Sequence, residues 1–118
     1  MKNETYKIEL PGSQPCAKLV TYIQDDSAEI GIATRPLVLV CPGGGYAMTS
    51  DREAEPLALQ FLAMGYHAAV LRYSVAPAVF PMALCELAWS VGLIREHAEE
   101  WHVNPEQIIV LGCSAGGH

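Results

Sequence analysis

Ile108-Ile109-Val110-Leu111-Gly112-Cys113-Ser114-Ala115-Gly116-Gly117-His118 decides how the rest of the chain is read. Four apolar residues run straight into Gly112-Cys113-Ser114-Ala115-Gly116, a G-x-S-x-G pattern. The run predicts a buried strand, and the pentapeptide predicts a sharp turn out of it into a helix. In such a turn the serine sits at the apex and its hydroxyl projects from the sheet. The glycines allow neighbouring backbone to come close where a Cβ would intrude. A serine raised in this way is placed to act as a nucleophile, so Ser114 is the candidate catalytic residue. Cys113 is expected to point away from it, into packing.

Outward from this stretch, Val103-Asn104-Pro105-Glu106 reads as a turn, and before it Pro81 opens a helix. Leu84, Leu87, Ala88, Val91, Ile94, Ala98 and Trp101 recur with a period near 3.6 and predict that helix's buried face. Gly92 within it costs about 1 kcal/mol against alanine, so it is either closely packed or tolerated. His67 to Tyr73 is a nearly all-apolar strand, followed by a loop from Ser74 to Phe80. An earlier helix starts near Glu53 to Glu55, because Pro56 is harmless only in a first turn. Its apolar face is Ala54, Leu57, Ala58, Phe61 and Leu62, and Gly65 is its C-terminal cap. Ser50 and Glu53 have capping-box spacing. Leu37 to Cys41 is apolar at every position, as expected of a strand covered on both faces. It runs into Pro42-Gly43-Gly44-Gly45-Tyr46.

From residue 36 the order is therefore strand, helix, strand, helix, strand, which predicts a parallel sheet with right-handed crossovers. Thr5 to Leu10 and Ala17 to Gln24 both alternate apolar and polar residues around the turn cluster Pro11 to Pro15. They predict an antiparallel hairpin at a sheet edge. A chain of 118 residues predicts one domain, with residues 1–35 as edge hairpin and connection and residues 36–118 as the alternating core. In open α/β sheets the site lies beyond the carboxyl ends of the strands. Both glycine turns follow such ends and share one rim.

Composition excludes several functions. With 51% hydrophobic and 17% charged residues the chain is core-rich. A formal charge of −6 without basic clusters argues against nucleic acid and against an anionic membrane surface. No apolar run approaches the ~20 residues that span a bilayer. The amino end has no apolar stretch of the secretory kind, which predicts a cytoplasmic location. Cys16, Cys41, Cys85 and Cys113 are far apart with no C-x-x-C, so reduced thiols are expected, with no metal and no cofactor.

Gly43 to Gly45 suits a cradle for a negatively charged oxygen, because glycine lets backbone N–H groups turn outward and approach a substrate. Each such donor is worth roughly 3 kcal/mol to an acyl-transfer transition state. An ordinary glycine-rich loop is the plainer alternative. Phosphate binding is disfavoured, since neither G-x-G-x-x-G spacing nor a following Lys-Ser or Lys-Thr is present.

Pro42 to Tyr46, Leu71-Arg72-Tyr73-Ser74-Val75-Ala76-Pro77, Phe80-Pro81-Met82-Ala83-Leu84 and Gly112 to His118 together resemble the α/β-hydrolase esterases, nearest the branch related to acetyl-xylan esterases. The resemblance covers residues 36 to 118 with the motifs in order. Pro42, Ser74, Val75 and Glu86 depart from the usual histidine, arginine, leucine and aspartate. It implies a three-layer α/β-hydrolase fold, with a mostly parallel sheet and an N-terminal antiparallel hairpin, truncated after the elbow that bears the nucleophile. By position it makes Ser114 the nucleophile and gives Gly44, Gly45 and Ala115 the oxyanion N–H groups. Tyr46, and by its nearness to the glycine loop Asp51, are expected to line the substrate site, although a helix-start charge is the plainer reading of Asp51. The family's chain order is serine, acid, histidine, so acid and base are expected beyond residue 118. His118 lies where family members carry a histidine that is not the base, and His67, His97 and His102 read as structural.

The function implied is hydrolysis of a small carboxylic ester, acetylated sugars among them, through an acyl-serine. The implied partners are a small-molecule ester and either the missing C-terminal half or a complementing chain, with a homodimer as a further arrangement. Two other readings stand beside it. One is a non-catalytic or incomplete hydrolase-fold module that binds a partner. The other is a peptidase of the same fold.

Overall fold

A computed structural model describes all residues from Met1 to His118. Five strands form one sheet: β1 (Thr5–Lys7), β2 (Lys18–Tyr22), β3 (Arg35–Cys41), β4 (His67–Arg72) and β5 (Val103–Gly112). Three helices pack on it: α1 (Glu55–Ala63), α2 (Met82–Glu96) and α3 (Ala98–Trp101). The spatial order is β1-β2-β4-β3-β5. β3 pairs in parallel with β4 on one side and β5 on the other, while β2 is antiparallel to both β1 and β4. The hairpin thus forms one edge, as the alternating pattern predicts, and β5 forms the other.

Period two along β3 sends its side chains alternately to two cores. Leu37, Leu39 and Cys41 join Leu19, Ala69, Leu71, Ile94 and Trp101 under α2 and α3. Val38 and Val40 join Ala54, Ala58, Ala68 and Val70 under α1. This gives the three layers. β5 is covered unevenly: Ile109 and Val110 are each 47% exposed.

α1 begins where Pro56 requires, with Pro56 in its first turn after a 3-10 turn at Asp51–Glu53. It ends at Ala63, just before Gly65, whose φ of +97° reverses the chain while its N–H donates to the Leu62 carbonyl at 3.0 Å. A left-handed residue there is the usual helix stop.

Three expectations are corrected. β1 stops at Lys7, three residues short of the alternating run, although Ile8 remains buried and its N–H still donates to the Ala17 carbonyl. Val103 to Glu106 is no separate turn but part of β5. Arg35 pairs with Val103 and Leu37 with Ile108, so residues 104–107 bulge out of the ladder opposite Pro36. Pro36 has no N–H to give, and a bulge is where a proline fits in a sheet.

The third correction concerns α2. Its fully buried residues are Glu86, Ser90 and Ile94, whereas Leu84 is 54% exposed and Ala88 is exposed. The face is rotated from the apolar stripe because Glu86 is drawn inward by a set of donors. Its carboxylate accepts from the Ser74 N–H at 2.6 Å, the Ser74 hydroxyl at 2.6 Å and the Ser13 hydroxyl at 2.8 Å. Ser90 returns its hydroxyl to the Glu86 carbonyl. A buried carboxylate is tolerable only when so satisfied. The helix also breaks at His97, so Ala98 and Trp101 belong to α3. Gly92 meets nothing within 4 Å of an added Cβ, so it is tolerated and not closely packed.

His67 opens β4 at the amino end of the sheet and is structural. The Gln24 N–H donates to its Nδ1 at 3.0 Å, which leaves Nε2 to carry the proton toward the His102 carbonyl at 3.3 Å. Burial lowers its pKa and keeps the ring neutral.

Candidate functional site

β3 and β5 are parallel neighbours whose last paired residues are Cys41 and Gly112. The two glycine turns therefore leave the same end of the sheet side by side, as the sequence predicts.

At the β5 turn Ser114 has a φ of +50° and is exposed, at the start of a 3-10 turn running to Gly117. A left-handed residue other than glycine costs roughly 1–2 kcal/mol and persists only where its surroundings impose it. Here they do. A Cβ on Gly116 would lie 2.0 Å from the Cys41 carbonyl oxygen, and one on Gly112 would lie 2.4 Å from the Gly117 Cα. The turn folds onto β3 so closely that only glycine fits before and after the serine. The Cys113 N–H donates to the Cys41 carbonyl and the Gly116 N–H to the Cys113 carbonyl.

The β3 turn lies directly against this elbow. A Cβ built on Gly43 would stand 3.0 Å from the Ser114 Cβ and 2.7 Å from the Cys113 carbonyl oxygen. Gly44, Gly45 and Tyr46 follow with φ of +148°, +64° and +65°. The Gly43 N–H is spent on the Glu53 carboxylate at 3.0 Å. The N–H groups of Gly44, Gly45 and Ala115 take no acceptor within the protein. Buried beneath the turn, the Tyr73 hydroxyl donates to the Pro42 carbonyl at 2.5 Å. The Ala76 N–H donates to the Tyr46 carbonyl at 2.7 Å and ties the loop after β4 to the glycines.

Beside the two turns lies an apolar cavity of about 240 Å³. Tyr46, Ala115, Gly116 and His118 line it at the elbow, and residues of the Ser74–Leu84 segment line it beside them. Phe80 and Val79, 84% and 76% exposed, stand at its mouth. The Glu86 network fixes the start of that segment. The Ser74 hydroxyl, which donates to Glu86, accepts from the Gln14 N–H at 2.9 Å, and the Val75 N–H donates to the Gln14 side chain at 3.0 Å.

Ser114, Gly44, Gly45, Ala115 and Tyr46 are thus brought together. Asp51 is not: it does not line the cavity, and its exposed carboxylate pairs with Arg72 at 2.9 Å. His118 bonds through Nδ1 to the Tyr46 hydroxyl at 2.5 Å, and no histidine or carboxylate touches the Ser114 hydroxyl. Cys113 is half-buried, and burial followed by the Glu53 charge raises its thiol pKa. Burial, with Cys113 nearby, pushes Cys41 up to about 11. A raised pKa removes the thiolate that sulfur chemistry needs. Sequence reasoning missed Glu53, Tyr73 and Glu86 as the supports of the site. Glu53 reads as half a capping box, and the contacts of the other two span long sequence separations.

The BD-FAE family model matches residues 20–118. Over 104 residues the chain is 30% identical to endo-1,4-beta-xylanase B of Butyrivibrio fibrisolvens, covering 85% of this chain and 16% of that protein. Over 78 residues it is 30% identical to the acetylxylan esterase of Xylanibacter ruminicola, covering 65% and 16%. Among solved structures it is similar to MGS-M1, an alpha/beta hydrolase enzyme from a Medee basin deep-sea metagenome library. That match has 45% identity and a TM-score of 0.88 over 98% of this chain and 48% of the other. The chain spans about half of that solved structure and about a sixth of each curated relative.

Proposed function

The chain belongs to the BD-FAE family of α/β hydrolases, whose relatives include carboxylic-ester hydrolases, and from this we propose that it carries the nucleophile half of a serine esterase. The observation that carries the reading is the left-handed Ser114 at the apex of the β5 turn, packed against a second glycine turn.

In this reading the Ser114 Oγ attacks the carbonyl carbon of a small ester, and its proton passes to a histidine supplied by chain beyond residue 118. The carbonyl oxygen becomes negative and is held by the unspent N–H groups of Gly44, Gly45 and Ala115. Collapse expels the alcohol, which takes the proton from the histidine, and leaves an acyl-serine. Water then attacks the acyl carbon and releases the acid. The cavity beside Tyr46 would receive one part of the ester. Acetylated sugars are the favoured substrate class, supported by the likeness to an acetylxylan esterase. The open outer edge of β5 and its half-exposed Ile109 and Val110 favour completion of the sheet by further chain. Residues 1–118 alone are expected to lack turnover.

An activated fluorophosphonate should label Ser114 in the longer protein that carries this chain, and Ser114→Ala should abolish both labelling and release of p-nitrophenol from p-nitrophenyl acetate. A folded protein that remains unlabelled would overturn the esterase reading. It would favour the second one, a non-catalytic hydrolase-fold module, for which the unpartnered Ser114 hydroxyl is the supporting observation.

A further inference from the structure

Glu53 is placed under the glycine turn in a way that the helix it precedes does not require. With Ser50 it has the spacing of a capping box, in which its carboxylate would reach back to the Ser50 N–H. It does not. The Ser50 N–H donates instead to the Gly43 carbonyl at 2.7 Å, and the Glu53 carboxylate accepts from the Gly43 N–H at 3.0 Å. Ser50 makes no side-chain cap either. Both polar groups of Gly43 are thus held by the segment 50–53, and that segment is itself fixed. Its Glu53 N–H donates to the Ser50 carbonyl, and the next residue, Ala54, is completely buried against the sheet.

The consequence follows from peptide geometry. A trans peptide unit is planar, and its C=O and N–H point in opposite directions. With the Gly43 carbonyl aimed at Ser50, the Gly44 N–H on the same peptide unit must point away from the 50–53 segment. The Gly43 N–H, held by Glu53, fixes the preceding peptide unit as well. Gly43 is also wedged between the Glu53 carboxylate and the elbow: an added Cβ would be 2.8 Å from Glu53 Oε1 and 3.0 Å from the Ser114 Cβ. From these contacts we infer that Glu53 is a positioning residue, whose carboxylate holds Gly43 against Ser114 and, together with the Ser50 N–H, thereby aims the Gly44 N–H at the oxyanion. This rests on the esterase reading above. It adds a residue that touches neither substrate nor nucleophile.

The test compares Glu53→Ala, Glu53→Gln and the parent in the longer protein that carries this chain, with p-nitrophenyl acetate as substrate and active sites counted by fluorophosphonate titration. Loss of one oxyanion donor costs about 100- to 1,000-fold in kcat; misaiming donors that remain present should cost less. Glu53→Ala is expected to lower kcat per titrated site about 10- to 100-fold with KM within about two-fold. Glu53→Gln keeps a carbonyl acceptor for the Gly43 N–H and is expected to recover most of that loss, and it also serves if the alanine variant fails to fold. A purely structural role predicts a lower melting temperature with unchanged kcat per site in both variants, and that result would overturn the inference. An equal loss in both variants would also overturn it, since the charge and not the hydrogen bond would then be responsible. A parent that is folded yet neither labelled nor active removes the esterase reading itself, which distinguishes that failure from the failure of Glu53.

Discussion

The two faces of the sheet are covered by helices that are held in different ways. α1 and its cap residue lie on the sheet through Ala58 and Ala54, both completely buried, with Leu57, Phe61 and Leu62 around them. α2 lies on the opposite face through Glu86, Ser90 and Ile94. On the first face, small residues let helix and sheet backbones approach, and the driving force is apolar burial. On the second, the apolar cluster around Ile94 is joined by a carboxylate that gathers donors from Ser13 and Ser74 and docks the first half of the helix. The difference has a functional side. The hydrogen-bonded face holds a loop beside a cavity at the elbow. Directional bonds at Ser74 and Val75 fix the start of this loop, whose Val79 and Phe80 stay exposed and so gain little from burial.

The comparison breaks most readily at Glu86. Replacing it by alanine strands the Ser74 N–H and two hydroxyls, and unmet buried donors cost roughly 1–3 kcal/mol each. A loss of about 3 kcal/mol or more in urea unfolding is expected, with a smaller loss for Glu86→Gln. A neutral Glu86→Ala would mean that both faces are held alike, by apolar burial. On the other face, Ala58→Leu forces a larger side chain into closed packing and should cost about 1–3 kcal/mol by the same measurement. No loss there would mean that α1 has room to spare. The smallest effect is expected at Leu84. The apolar stripe makes it core, yet it is 54% exposed, so Leu84→Gln should change stability by less than about 0.5 kcal/mol. A loss above about 1.5 kcal/mol would show that further chain covers this end of α2.

The same contrast explains which parts of the molecule could be read from its residues. The strands at 37–41 and 67–72 were legible because buried parallel strands leave unbroken apolar runs. α1 was legible because its buried face is apolar at helical spacing and Pro56 limits its start. The face of α2 was misread because period counting ranks Leu84 and Ala88 above Glu86 and Ser90. Ser13 and Ser74, which pull Glu86 inward, are 73 and 12 residues away along the chain. Asp51 is near the glycines in sequence, but it does not line the cavity, and its exposed carboxylate pairs with Arg72.

By itself, the sequence determined the alternation of strands and helices and the two glycine turns at strand ends. These are local matters of residue period, steric permission at glycine and the fixed φ of proline. Only the tertiary structure decided that Cys41 and Gly112 end side by side, that Ser114 is held at positive φ, and that the Glu53 carboxylate takes up the Gly43 N–H and not the Ser50 N–H. Those outcomes depend on which distant donors and acceptors the folded sheet brings within 3 Å or so, a matter on which neighbouring residues carry no information. Ser114 could therefore be singled out from a pentapeptide, whereas the residues that aim its surroundings could not.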